Sequence, residues 1–343
     1  MKRRTFLGNV GATAAVGGVL STRQAKATTS APESGAESTG SDEPWRERLA
    51  QPWTLTEQDW TAIVGAVTPG RRLKPKAWPN GSRFAVALSF DCDHEAAILA
   101  GGSASPGRIA WAGHRSRRVG VPRILDVLKR HEVPASFYIP AVAALIDPVD
   151  TRRIVAEGHE VGLHGWIHVN NSQIPPALER ELAFRAREAL EKVTGSEIVG
   201  HRSANFDLGP NTIKLVAELG LEYDSSMMAD DSCYELLVDG GKPTGLVEVP
   251  VEWVRDDAVY LGFNRAGGRP LLSPVDVFEV FKQELESAAA EGDVFELLMH
   301  PHVIGHRSRI WILERIIEHA KGLGGAWFGT HAQVARWAKD NAA

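Results

Sequence analysis

From Arg83 to the carboxyl end, short apolar or β-branched runs alternate with helical stretches, and this serial alternation restricts the fold more than any other feature of the chain. RFAVALSF, ASFYI, EVGL, SEIVG, EYDSS, LVEVPV, VFELLM and AWFGT read as strands. Between most of them lie helices with cap or first-turn proline signals: Pro122 in VPRILDVLKR, Asp147-Pro148 in DPVDTRRIVAEG, Gly209-Pro210 before NTIKLVAELG, and Ser273-Pro274 before VDVFEVFKQELESAAA. PPALERELAFRAREALEKV is a long amphipathic helix. About seven β-α units in series, over roughly 260 residues, predict an α/β fold whose parallel sheet closes as a deformed (β/α)7-8 barrel rather than staying open. No glycine-rich nucleotide fingerprint follows the first strand.

The 343 residues are 43% hydrophobic and 24% charged with a formal net charge of −5, enough chain for a sizeable core. That mildly acidic balance gives no electrostatic reason to expect nucleic acid or an anionic membrane as partner, and points to a small molecule or a neutral polymer. At the amino end, Arg3-Arg4 precede Thr5-Phe6-Leu7, a short glycine-rich apolar stretch and the small-x-small site Ala25-Lys26-Ala27. This order predicts a twin-arginine export signal over residues 1–27, a transient encounter with the twin-arginine translocation machinery, and a periplasmic or secreted protein. No run reaches the ~18 apolar residues of a membrane span, so no stable anchor is expected. Residues 28–44 are small and polar and read as a disordered linker, residues 45–80 as a lead-in, and residues 81–343 as the barrel. Two isolated cysteines, Cys92 and Cys233, define no disulfide scaffold.

Chemistry collects at strand ends. A period of two along RFAVALSFDCD places Ala85, Ala87, Ser89, Asp91 and Asp93 on one face and Phe84, Val86, Leu88, Phe90 and Cys92 on the other. Both aspartates therefore project together from the end where barrel enzymes build their sites. EVGL runs into His164-Gly-Trp-Ile-His168. An aspartate with two neutral imidazoles would make a three-ligand metal set with a position left open for water. Arg202 follows SEIVGH and His300 follows VFELLM, two further reactive residues at strand ends.

With these motifs the chain resembles the polysaccharide deacetylases, also called the NodB-homology domain or carbohydrate esterase family 4, over about residues 80–340. SFDCDHE matches the first motif, HGWIH the second, GHRSANFDLGPNT with YDSS the third, EVPVEWVRDD the fourth and ELLMHPHVIG the fifth. The resemblance implies Asp91 as general base and Asp93, His164 and His168 as ligands of a divalent metal, Zn2+ above all, with Co2+ or Ni2+ also accepted by such a set. It implies that Arg202 orients Asp91, that Asp256 or Asp257 tunes His300, and that His300 is the general acid. It places an oxyanion donor at the backbone around Asn205 and Phe206. MHPHVIG and the long form of the first motif resemble a divergent branch that includes peptidoglycan-deacetylase-like proteins and cyclic imide hydrolases, and three departures from the usual motifs bear on the substrate. Cys92 stands between the acids, Gly165 replaces a hydroxyl residue, and the third motif lacks Pro-Tyr.

The leading expectation is an exported metal-dependent hydrolase of amide carbon-nitrogen bonds that deacetylates amino-sugar polymers such as peptidoglycan or chitin fragments. An alternative keeps scaffold and metal for small cyclic imides, amides or ureides, with Trp166, Phe206 or Trp253 lining a compact pocket beside Asn205. A second alternative, a non-catalytic glycan-binding barrel, predicts decay of a ligand set that is intact here. His94 and Glu95 are either supports of the acids or exposed loop residues, and His302 and His306 are loop or substrate contacts. His114, His131, His159, His201, His319 and His331 receive no role. The stretch from Ala96 to Val119 reads as a long loop and candidate lid.

Overall fold

The structure is a computed structural model that describes residues 47–263 and 271–343. The export signal, the linker and Trp45 lie outside the described residues. The chain divides into two compact units, residues 1–50 and 51–343. In the first, only a short 3-10 turn, Glu47–Ala50, is described.

Among the described residues the second unit holds ten strands: β1 (Val67–Arg72), β2 (Phe84–Asp91), β3 (Ser136–Ile139), β4 (Glu160–Leu163), β5 (Gly200–His201), β6 (Tyr223–Asp224), β7 (Tyr234–Val238), β8 (Lys242–Glu248), β9 (Val294–Met299) and β10 (Ala326–Phe328). They form one mixed sheet in the order β1-β7-β8-β6-β5-β4-β3-β2-β10, with β9 also on β2. From β8 through β6, β5, β4, β3 and β2 to β9 every pairing is parallel, whereas β1–β7 and β7–β8 are antiparallel. β10 pairs with Phe84–Val86 and β3 with Ser89–Asp91, so these two share one edge of β2 while β9 takes the other. A parallel bridge between Asp256 and Leu298 links the segment after β8 to β9. The result is a curled half-barrel wrapped by helices, matching the deformed (β/α) barrel that the β-α alternation predicts.

The period-two reading of β2 holds. Phe84, Val86, Leu88, Phe90 and Cys92 join the large cluster under the helices. Ala85 and Ala87 instead belong to an inner cluster with Tyr138, Tyr223, Val247 and Val249. Each fully buried Phe or Leu of the outer set contributes about 1.5–3 kcal/mol. Two glycines make room for the inner rings: a Cβ on Gly162 would meet the Tyr138 ring at 2.6 Å, and one on Gly200 the Tyr223 ring at 2.0 Å. The helices begin where their caps place them, Asp147 accepting from the amides of Val149 and Asp150, and Ser273 Oγ from that of Val275.

Several elements differ from expectation; in EYDSS only Tyr223 and Asp224 form a strand, and the strand at LVEVPV runs from Lys242 to Glu248. In SEIVG only Gly200 enters a strand, which is completed by His201. β7 and β1 are additional, and β1 with buried Leu73 and Trp78 ties residues 67–78 to the barrel. The stretch after Ala96 is not a loop. It folds as short helices, Ala96–Ala100 and Pro106–Ile109, then two π-helical turns, Ala110–His114 and Ser116–Gly120, leading into the helix Val121–His131. Cys92 and Cys233 are both free and buried.

Candidate active site

Asp91 ends β2, His164 directly follows β4, Arg202 follows β5 and His300 follows β9. Because these strands run parallel side by side, their carboxyl ends share one rim, and the four side chains converge with Asp93 and His168. Asp93 Oδ1 lies 3.4 Å from His164 Nε2 and 3.3 Å from His168 Nε2. Asp93 Oδ1 and His164 Nε2 are buried without a hydrogen-bond partner. Buried polar atoms are rarely left so, and here they point at one another across a gap that suits a cation.

The imidazole tautomer fits that use. His164 Nδ1 donates to the Arg202 carbonyl at 2.7 Å, which turns the Nε2 lone pair toward Asp93. His168 is held with φ +65 in the left-handed region, a conformation costly for a non-glycine residue. One ligand atom from each of Asp93, His164 and His168 lies within 4.8 Å of the other two. One oxygen and two nitrogens suit zinc, cobalt or nickel. Burial alone would raise the Asp93 carboxyl, but the rings of His168 and His164 outweigh it and hold the group well below the usual carboxylate range. Burial likewise opposes a charged His168, and the Asp93 carboxylate outweighs it, raising His168.

Arg202 is fully buried beneath this cluster. It donates to Asp91 Oδ1 at 2.9 Å, Ser89 Oγ at 2.8 Å, Ser225 Oγ and the Ser225 carbonyl at 2.8 Å each, and Glu296 Oε1 at 3.1 Å. The guanidinium lies 4.1 Å from the Tyr138 ring centroid. Asp91 thus presents Oδ1 to the arginine and Oδ2 to the cavity, 3.6 Å from His164 Nε2. Glu296 also accepts from Ser89 at 2.6 Å and lies 3.4 Å from His331 Nε2. Sequence reasoning assigned no role to Glu296 or His331. A signal for Glu296 exists in VFELLM, where a charge in mid-strand alternates with Val294 and Leu298 and so demands a buried partner.

His300 Nδ1 and its backbone amide both meet Asp257 Oδ1, at 2.8 and 3.0 Å. Asp256 lies farther, 3.6 Å from Nδ1, and caps a short helix by accepting from the Ala258 amide at 2.7 Å. Asp257 is therefore the direct partner of the ring. Nε2 is left facing Asp93 Oδ2 at 4.0 Å. Burial disfavours the imidazolium, yet the Asp257 hydrogen bond and the two carboxylate charges outweigh it and hold His300 well above the ordinary imidazole range. Burial pushes Asp256 up to about 7 against the pull of His300.

The remaining candidates are distributed less evenly. Phe206 and Trp253 meet edge to face at 4.8 Å, with Trp253 51% exposed. Asn205 and Phe206 both have positive φ, 54 and 55. The Phe206 amide turns back to the Ser203 carbonyl at 3.1 Å, and the Asn205 side chain donates to Asn170 at 2.7 Å. Trp166 packs on the outer apolar cluster with the Arg185 guanidinium 4.0 Å above its ring. His94 and Glu95 are buried rather than exposed, and Glu95 pairs with Arg117.

The polysaccharide deacetylase family model matches residues 110–223. A peptidoglycan deacetylase of Helicobacter pylori is 28% identical over 277 residues, spanning 73% of this chain and 94% of its own length. A crystal structure from Mycobacterium smegmatis assigned as a polysaccharide deacetylase superposes with a TM-score of 0.73 and 32% identity over 80% of this chain and 95% of that one. A PuuE allantoinase structure superposes with a TM-score of 0.67 and 26% identity over 79% of this chain and 94% of its own.

Proposed function

Since the chain belongs to the polysaccharide deacetylase family and is a hydrolase of amide bonds, we propose that it removes acetyl groups from amino-sugar polymers such as peptidoglycan, using a divalent metal held by Asp93, His164 and His168. The observation that carries this reading is the triangle of buried ligand atoms, flanked on one side by an arginine-held carboxylate and on the other by a carboxylate-held imidazole. When bound, a divalent cation supplies a Lewis acid that polarises the acyl oxygen and makes water more acidic.

The chain's own groups do the rest. Asp91 is the general base: Arg202 fixes Oδ1, and Oδ2 takes the proton of the attacking water. His300 is the general acid. Asp257 holds the proton-rich ring, and Nε2 gives its proton to the departing nitrogen as the carbon-nitrogen bond breaks. Asp256 and Asp257 together keep that imidazolium charged until it is needed. The exposed Trp253 edge with Phe206 offers an apolar face for a sugar ring, beside the Asn205 backbone.

The allantoinase likeness supports a second reading, hydrolysis of a small cyclic ureide or imide by the same groups. We further propose export through the twin-arginine machinery on residues 1–27, with 28–44 as linker, to the periplasm or beyond, beside cell-wall substrates. Among the described residues no helix is long and apolar enough to cross a membrane. The test is metal analysis of purified protein joined to acetate- and amine-release assays on peptidoglycan fragments, chitin oligomers and cyclic imides. About one metal per chain with acetate released from glycan is expected; turnover of imides alone would replace the glycan reading, and no metal with no turnover would defeat both.

A further inference from the structure

The segments that leave the carboxyl ends of neighbouring strands β2 and β9 share an unusual charge content. Residues 96–125 and 300–313 carry seven arginines and no aspartate or glutamate. With 43 acidic residues in 343, roughly five would fall by chance in 44 positions. Acids from elsewhere make up only part of the deficit, Asp257 acting on Arg309 through space. Arg117 is neutralised by Glu95 and approached by Asp147 at 3.8 Å. Among the described residues, Arg108, Arg115, Arg118, Arg307 and Arg309 form no ion pair with a carboxylate; Arg115 donates to His306 Nδ1 at 3.2 Å, and Arg309 to the Leu261 and Val303 carbonyls at 3.0 and 3.2 Å. Arg108, Arg118 and Arg307 are exposed.

This cationic rim begins at the proposed acid. The His302 ring lies 5.8 Å from that of His300 and meets the Trp111 ring edge to face at 4.9 Å. Trp111 precedes Arg115 by one π-helical turn, and Arg115 closes the contact to His306. His302 Nδ1 is buried and has no hydrogen-bond partner, a polar atom that the protein itself leaves unsatisfied. Like charges gathered without counter-charges raise the energy of the folded state, and an anionic ligand relieves it.

We infer that the site takes a substrate bearing a carboxylate close to its scissile amide, seated against the wall formed by Trp111, His302, Arg115 and His306. This rests on the hydrolase reading and names its substrate class. It also revises the expectation of a neutral polymer, because a net charge of −5 conceals a rim of opposite sign. A glycan with acid side groups and a small acidic ureide share this chemistry, and the experiment separates them.

Two matched pairs of probes isolate the charge: N-acetylglucosamine oligomers against glycan strands of equal length whose alternate sugars carry a lactyl carboxylate, and dihydrouracil against dihydroorotate, its carboxylated counterpart. With metal-loaded full-length protein, kcat/KM is expected to be about tenfold or more higher for the carboxylated member of the pair that is turned over. That advantage should shrink as ionic strength rises from ~0.02 to ~0.3 M, since exposed charges are then screened. Turnover in the glycan pair identifies a polymer, and in the ureide pair a small acid. Joint Arg118→Glu and Arg307→Glu, at exposed positions, should cut the carboxylate-to-neutral ratio about tenfold, and Arg115→Gln should also lower it. Equal kcat/KM within the pair, or a ratio indifferent to these changes, overturns the inference. Equilibrium binding of all four probes to Asp91→Asn reads the charge preference without turnover. A preference there supports the inference even where the hydrolase reading has failed for want of any product, and no preference overturns it whatever the turnover.

Discussion

Replacing Arg202 by methionine keeps the length of the side chain and deletes the guanidinium that pairs with both Asp91 and Glu296. Five polar contacts at 2.8–3.1 Å disappear, and two carboxylates buried to within 4% of complete exclusion are left facing each other's field. Removing one partner of a buried pair costs about 3–5 kcal/mol, chiefly because the surviving charge is stranded. If stranded charge is the cause, Arg202→Met should be partly rescued by Glu296→Gln, which keeps an acceptor for Ser89 Oγ but carries no charge. Alone, Glu296→Gln keeps Oε1 as acceptor for Ser89 and Arg202 but removes the negative charge that the guanidinium faces, and should destabilise by about 1.5–3 kcal/mol. In the Arg202→Met background it should instead restore about 1–2 kcal/mol. Urea unfolding of the metal-free wild type, both single variants and the double variant measures the cycle, provided that the m values agree. Effects that add to within ~0.5 kcal/mol would show that the two groups are not coupled through the arginine, and the account of the network would fall.

Other consequences are as specific. Asp91→Asn should leave metal content unchanged while lowering kcat by about 10²–10⁴-fold, whereas His164→Ala should abolish both tight metal binding and turnover; metal analysis beside single-turnover kinetics distinguishes them. Asp257→Asn should move the alkaline limb of kcat against pH to lower pH, because the carboxylate that raises His300 is gone. The sign in the wild type follows from the same raised group: stability from charged His300 is complete below its unfolded value near ~6.5 and is lost as pH rises through the raised folded value, which denaturation at graded pH reads. Gly200→Ala would drive a Cβ to 2.0 Å from the Tyr223 ring, so it should cost at least about 1–3 kcal/mol in urea unfolding, and a neutral result would refute the close packing of β5 under that ring.

Local rules carry a long way in this chain. The period of two along β2 separates the faces correctly, since strand geometry admits no other arrangement of alternate side chains. Proline and acidic caps place the helices within a residue or two, and Asp91, Asp93, His164, Arg202 and His300 stand out because reactive residues after apolar strands have few other uses. Tertiary structure alone decided what depends on chain segments far apart. Glu296 meets Arg202 across 94 residues, and Ser89 meets it across 113. Asp257 rather than Asp256 holds His300, because the backbone caps a helix with the first acid and aims the second at the ring. Pairing across the sheet left β5 two residues long and placed β7 and β1 at its edge. The helical path of residues 96–120 brought Arg115 onto His306, so arginines from Arg108 to Arg309, 201 residues apart, form one rim that no local window displays, since charge acts through space and not along the chain.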